Sequence, residues 1–223
     1  MVAASSAPGI GVLAVQGDVG EHLAALRAVG ARVRTVRRPG ELQGLDGLVI
    51  PGGESTVMDK LVRAFGLYAP LTEAIHSGLP VFGSCAGMIM LADRVLDGRA
   101  DQQTLGGLDV TVRRNAFGRQ VDSFETDLRI AVLGPHPLRA VFIRAPWVED
   151  WGPSVDVLAS VERGGVRHPV AVRSGALLAT SFHPEVTGDL RVHAYFVDEV
   201  VDAAQVGSAV GFPGRLDTKA GSR

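Results

Sequence analysis

Between residues 10 and 91 the chain alternates short apolar runs with segments whose apolar residues fall at helical spacing, and that alternation leaves few folds open. Residues 10–15 form an apolar run closed by Gln16-Gly17. Residues 33–36, 48–50 and 79–82 form three more, and the run at 48–50 ends in Pro51-Gly52-Gly53. Between them, residues 19–29 place Leu23, Ala24, Leu26 and Ala28 in a helix-compatible pattern. Residues 55–65 and 71–76 also read as helices, and residues 86–91 open another. Asp18, three residues before Glu21, predicts a capping box at the first helix, and Gly30 predicts its end. Strands alternating with helices predict a parallel sheet covered on both faces.

The pattern then changes. Residues 108–112, 121–124, 140–143, 155–159, 170–172 and 177–182 read as strands with few helices between them, and residues 188–204 as a closing helix. The expected fold is a three-layer α/β domain over residues 9–204. It has a mostly parallel central sheet, helices on both faces and an added antiparallel section. Residues 1–8 read as an extension, residues 96–106 as a variable loop, and the glycine-rich, polar residues 205–223 as a tail expected to be disordered.

A chain of 223 residues, 46% of them hydrophobic, can bury a substantial core in one domain. A net charge of −2 gives no electrostatic ground for nucleic acid or an anionic membrane surface as a partner. The pairs Arg37-Arg38 and Arg113-Arg114 are short and read as solvated edges. No apolar run approaches the ~20 residues of a membrane helix, and no basic residue precedes the short apolar stretch near the start, so no secretion signal is read. The single cysteine excludes an intramolecular disulfide and suits a reducing cytosol, so the expected location is cytoplasmic.

Three motifs carry chemistry. Gly83-Ser84-Cys85-Ala86-Gly87 follows an apolar run and has the form of a nucleophile elbow, a tight strand-to-helix turn with small neighbours. Such a turn lifts the sulfur above the strand end and aims it at a helix N-terminus, where free N–H groups favour a thiolate. The alternative is a buried structural cysteine. In His183-Pro184-Glu185, an extended backbone would put the carboxylate on the same side as the imidazole. Glu185 would then orient His183 and stabilise its protonated form; the alternative is a loop histidine beside an exposed glutamate. In Pro51-Gly52-Gly53-Glu54-Ser55, two glycines allow close approach of the backbone to a ligand. N–H groups at Gly52 and Gly53, with that of Ala86, would form an oxyanion hole; the alternative is a plain turn before a helix cap. A phosphate loop is disfavoured, because no Gly-Lys-Ser/Thr ending follows. His22, His76, His136, His168 and His193 lack such contexts and read as surface or core residues. They also lack ligand spacing, so neither a metal nor a cofactor is expected.

An oxyanion loop, then a cysteine elbow, then a late His-x-Glu resembles the order of a class I, triad-type glutamine amidotransferase with a flavodoxin-like sheet. Within that group the chain resembles the glutaminase subunits of pyridoxal 5'-phosphate synthase from about residue 9 to residue 201. The resemblance rests on Gly11-Val12-Leu13-Ala14-Val15-Gln16-Gly17 with Glu21-His22, on Pro51-Gly52-Gly53-Glu54-Ser55-Thr56, and on Phe142-Ile143-Arg144-Ala145-Pro146. Ser181-Phe182-His183-Pro184-Glu185 adds to it, and the stretch from Arg114 to Glu125 is its most specific part. The resemblance implies a Cys85–His183–Glu185 triad and glutamine contacts at Gly53, Glu54, Ser55, Arg114, Ile143 and Arg144. It also implies L-glutamine as substrate and ammonia transfer to a synthase subunit in a large hetero-oligomer that activates the glutaminase on docking. Arg114 would hold the glutamine α-carboxylate. The rival expectations are a glutaminase serving another synthase and a non-catalytic regulatory subunit.

Overall fold

The computed structural model describes residues 7–117 and 123–204. The tail at 205–223, most of the extension at 1–8, the first two residues of the strand expected at 121–124 and residues 118–122 of the Arg114-to-Glu125 stretch lie outside the described residues.

The first half alternates as its pattern requires: β1 (Gly9–Leu13), α1 (Val19–Ala28), β2 (Arg32–Val36), β3 (Gly47–Ile50), α2 (Ser55–Ala64), α3 (Tyr68–His76), β4 (Val81–Ser84) and α4 (Ala86–Leu91). Strands dominate the second half: β5 (Ala92–Leu96), β6 (Leu108–Arg113), β7 (Ser123–Leu128), β8 (Leu138–Ile143), β9 (Trp147–Trp151), β10 (Asp156–Arg163), β11 (Val166–Ser174) and β12 (Leu177–Thr180), before α5 (Arg191–Tyr195). The central sheet has the order β10-β11-β12-β4-β3-β1-β2. Strands β2, β1, β3, β4 and β12 run parallel, while β11 and β10 continue the sheet antiparallel. A three-stranded sheet β5-β6-β9 and a β7–β8 hairpin complete the added section.

Period-two alternation decides which helix covers which face. Leu48, Ile50 and Val81 pack with Met58 and Val62 of α2, Leu71 and Ile75 of α3, and Leu91 of α4. Val49 and Phe82 point the other way, to Leu26 of α1 and Val192 of α5. Each such fully buried side chain contributes about 1.5–3 kcal/mol relative to exposure. The chain leaves β1 for β2 on one side and then for β3 on the other. The carboxyl ends of the strands therefore flank a crevice at this reversal, the usual ligand position in open parallel sheets.

Several expectations are corrected. The Asp18–Glu21 capping box does not form: Asp18 is the N-cap of α1, but its side chain makes no cap hydrogen bond. Its carboxylate instead lies 3.4 Å from His183 Nδ1, where it meets a charged partner. His183-Pro184-Glu185 is not extended, since Pro184–Val186 is a 3-10 turn, so Glu185 reaches back to the imidazole by a tighter route. The closing helix begins at Arg191 rather than at 188 and is interrupted: α-helix over Arg191–Tyr195 widens into a π-helical turn, Phe196–Val201, before α-helix resumes to residue 204. Within that turn the Glu199 carbonyl accepts from Arg173 Nη2, a side-chain bond that competes with the helical ladder. Strands β5 and β9 escape the sequence reading because β5 runs directly on from α4, and because Glu149 and Asp150 hide the alternation of β9. Among the described residues, no helix is long and apolar enough to cross a membrane.

Candidate active site

The loops after β1, β3, β4 and β8, with the turn after β12, meet at one cavity of about 340 Å³. Its wall includes Cys85 and His183, and with them Gly53, Glu54, Ser55, Ala86, Arg114, Ile143 and Arg144. Gly52 and Glu185 stand behind that wall, both against His183.

Cys85 sits at φ 49° and ψ −100°, the N-cap of α4. A non-glycine residue held there stores backbone strain, and the surroundings must enforce it. Two glycines and one hydrogen bond do so. A Cβ at Gly83 would lie 2.5 Å from the Gly87 carbonyl carbon, and one at Gly87 would lie 2.1 Å from the Ile50 carbonyl oxygen. Only glycine lets the turn close this tightly. The Cys85 N–H donates to the Thr180 carbonyl at 2.7 Å, tying the elbow to β12. Cys85 as a residue is 6% exposed, and its sulfur lies 3.9 Å from the Ile143 carbonyl.

His183 Nδ1 lies 2.7 Å from Glu185 Oε1. Cys85 lines the same cavity wall as this ring. Burial works against a charge on this imidazole. The neighbouring Cys85 and then the Glu185 hydrogen bond outweigh it, and the pKa is pushed up to about 10. The ring is therefore a cation throughout the neutral range. In Cys85→Ala the first of the raising partners is gone while burial remains. The His183 titration followed by NMR is expected to move down, and a midpoint still near 10 would contradict this account.

The oxyanion loop is equally confined. Gly53 has φ 154°, a backbone that side chains rarely adopt. Gly52 presents its carbonyl to the Asp18 N–H at 3.3 Å, and Glu54 donates its N–H to Gln16 Oε1 at 2.8 Å. Glu54 is also the N-cap of α2, accepting from Thr56 N at 3.2 Å and Val57 N at 2.8 Å. Although partial burial opposes its charge, the Thr56 and Val57 hydrogen bonds hold its pKa below the usual carboxylate value.

Arg114 is mostly covered, with a side chain 14% exposed, so it is not a surface ion pair. It donates to Glu54 Oε1 at 3.1 Å and to Gln102 Oε1 at 2.9 Å, and Gln102 in turn donates to Ser55 Oγ at 3.1 Å. Gln102 thus joins Ser55 to Arg114 from within the stretch expected to be a variable loop. A lone glutamine among polar residues left no periodicity by which to find it. Gln16, Asp18, Ile89 and Asn115 also line the cavity, although none of them was expected as a site residue. Asn115 and Arg144, like Cys85, have positive φ, at 47° and 43°. For Gln16, the position just past a parallel strand's carboxyl end was the available signal. Asp18, His183 and Glu185 bring three potential metal-ligand atoms within 4.8 Å of one another. His183 Nδ1 already faces both carboxylates, so an ion there would have to displace its proton.

The chain has known relatives. The family model for SNO glutamine amidotransferases matches residues 12–202. The pyridoxal 5'-phosphate synthase subunit PdxT of Kineococcus radiotolerans is 66% identical over 199 residues, covering 88% of this chain and 96% of that one. The PdxT subunit of Nocardia farcinica is also 66% identical over 199 residues, covering 89% of this chain and 88% of that one. A crystal structure of a glutamine amidotransferase superposes with a TM-score of 0.78 at 46% identity, covering 86% of this chain and 98% of that one. A putative GMP synthase component from Thermoplasma acidophilum, 17% identical with a TM-score of 0.64 and covering 91% and 98%, shares the fold. By the matched model and by the extent of these identities, the chain belongs to the SNO glutamine amidotransferase family.

Proposed function

We propose that this chain hydrolyses L-glutamine to L-glutamate and ammonia, and that it supplies the ammonia to a synthase subunit that makes pyridoxal 5'-phosphate. The observation that carries the chemistry is one cavity wall holding a strained cysteine beside an imidazole that is bonded at 2.7 Å to a buried carboxylate. The partner follows from the name of the PdxT relatives, which are subunits of such a synthase.

In this mechanism the Cys85 sulfur attacks the side-chain carboxamide carbon of glutamine. Negative charge gathers on the carboxamide oxygen, and the backbone N–H groups of Gly52 or Gly53 and of Ala86 stabilise it. One such donor contributes about 2.7–4 kcal/mol. His183 gives its proton to the departing nitrogen, the C–N bond breaks, and ammonia leaves a thioester on Cys85. The neutral imidazole then takes a proton from water, whose oxygen displaces the sulfur and frees glutamate. Glu185 holds the ring and offsets its charge. Gly53, Glu54, Ser55, Arg114, Ile143 and Arg144 surround the substrate, with the Arg114 guanidinium on its α-carboxylate. Arg114 has five N–H donors, of which Glu54 and Gln102 occupy two, so the carboxylate is recognised by the remainder.

Residues 9–204 form the glutaminase domain in this reading, acting in the cytoplasm within a hetero-oligomer. Ammonia released with no acceptor present is lost to water, and the glycine-rich Pro51-Gly52-Gly53 turn is suited to a change of peptide orientation when the synthase docks. The isolated chain is therefore expected to turn glutamine over slowly, and the cognate synthase, given ribose 5-phosphate and glyceraldehyde 3-phosphate, to raise that rate and yield the cofactor. Fast glutamate release that is indifferent to the synthase would count against the coupled role.

A further inference from the structure

Two histidines that this mechanism does not use lie directly behind the carboxylate that it does use. His22 of α1 and His193 of α5 are both fully buried. His22 Nδ1 is 2.9 Å from His193 Nε2, and His22 Nε2 is 3.0 Å from Ser84 Oγ, on the residue just before Cys85. The same His22 Nε2 lies 3.5 Å from Glu185 Oε2. That oxygen is the half of the carboxylate turned away from His183, and among the described residues it is buried with no hydrogen-bond partner.

Two titratable groups meet the carboxylate, each with another behind it: His183 from its own turn, with Asp18 on the far side of that ring, and His22 from α1, with His193 behind it. Two proton arrangements are open to the histidine pair. In one, Ser84 donates to a bare His22 Nε2, and a lone pair faces a buried carboxylate oxygen across 3.5 Å. In the other, the proton is on His22 Nε2 and points between Ser84 Oγ and Glu185 Oε2, while His193 Nε2–H donates to His22 Nδ1. The first sets like charge against like where water cannot screen it. The second gives an otherwise orphaned carboxylate oxygen its nearest donor.

We propose that His22, held in its Nε2–H form by His193, is a positioning residue that fixes Glu185 from behind and, through Ser84, steadies the turn into the Cys85 elbow. The proposal rests on the reading of Glu185 as the orienter of His183. Burial keeps both supporting rings neutral: the His22 pKa is well below the ordinary value, with the neighbouring His193 and His183 adding to the effect, and burial takes that of His193 down to about 4. Neutral rings retain a defined donor and acceptor at each nitrogen, which a positioning chain requires.

The test has two arms. The first needs no variant. In the histidine-nitrogen NMR spectrum of the wild-type chain, His22 is expected as the Nε2–H tautomer; a proton on Nδ1 overturns the proposal. The second arm measures glutamate release with the synthase bound. In His22→Gln the side-chain amide stands where Nε2 stands, and in His22→Asn it stands nearer Nδ1. Gln is expected to keep kcat within about threefold, and Asn and Phe to lose about ten- to a hundredfold in kcat, with KM for glutamine little changed. Equal kcat in all three would overturn the proposal, and if the variants do not fold the tautomer decides alone. If Cys85→Ala proves active, it is the triad reading that fails, and the tautomer result still reports on His22 separately.

Discussion

Replacing Cys85 with alanine is expected to lower glutamine hydrolysis by at least about 10⁴-fold, since removing a nucleophile leaves only binding and charge stabilisation to act on the amide. The fold should survive the change. The elbow is set by Gly83 and Gly87, which pack against Gly87 and Ile50 backbone atoms, and by the Cys85 N–H bond to Thr180, and none of these involves the sulfur. A melting temperature close to wild type would therefore separate lost chemistry from lost structure. The chain has one cysteine, so an electrophilic glutamine analogue has a single thiol to find. Mass mapping should place its adduct on the peptide containing Cys85 and show none in Cys85→Ala. Full turnover by the alanine variant, or an adduct on another residue, would remove Cys85 from the mechanism.

The parts of this site that could be read from the residues are those in which local backbone and chemistry coincide. Gly83 and Gly87 flank Cys85 because the elbow excludes a Cβ at both, so the motif carries its own steric reason. The pairing of His183 with Glu185 was also legible, although the 3-10 turn that produces it was not, because proline is compatible with either backbone. Gln102 and the Asp18 carboxylate reach the cavity or its histidine through tertiary placement alone, whereas Asn115 follows directly on Arg114 in the stretch that carries the resemblance. The same holds for His22 and His193. They are 171 positions apart and meet only because α1 and α5 cover the same face of the sheet. The alternating first half made the parallel sheet legible because β1, β3 and β4 are buried along nearly their whole length, while the edge strand β2 is covered mainly at Val36. Strand β9, with Glu149 bonded to Arg113 and Trp147, shows instead a polar pattern that only its pairing with β6 turns into a strand.

Gly52→Ala is expected to reduce kcat by about 10²-fold while the chain remains folded, a misplacement effect rather than a loss of any reacting group. The new methyl group would lie 2.3 Å from His183 Cε1, 2.8 Å from its Nδ1 and 3.1 Å from Asp18 Oδ2. These distances are far inside ordinary contact, so either the ring or the loop must move. The ring has little freedom: its Nδ1 is bonded to Glu185 Oε1 at 2.7 Å, its backbone N–H donates to the Val141 carbonyl at 2.9 Å, and Glu185 is itself buried. The loop is held by the Asp18 N–H on the Gly52 carbonyl and, one residue on, by Gln16 on the Glu54 N–H. A shift in either direction separates the imidazole from the proposed oxyanion donors, which must act on the same tetrahedral centre. Gly20→Ala supplies the matched control. That residue lies in α1, and a Cβ there meets nothing within 4 Å, so the change should leave kcat alone and stabilise the helix by about 0.5–1 kcal/mol. Rates and melting curves measured together on the two variants decide the matter. Wild-type kcat in Gly52→Ala would mean that the loop yields freely, and that the close fit of Gly52 against His183 has no part in placing the imidazole.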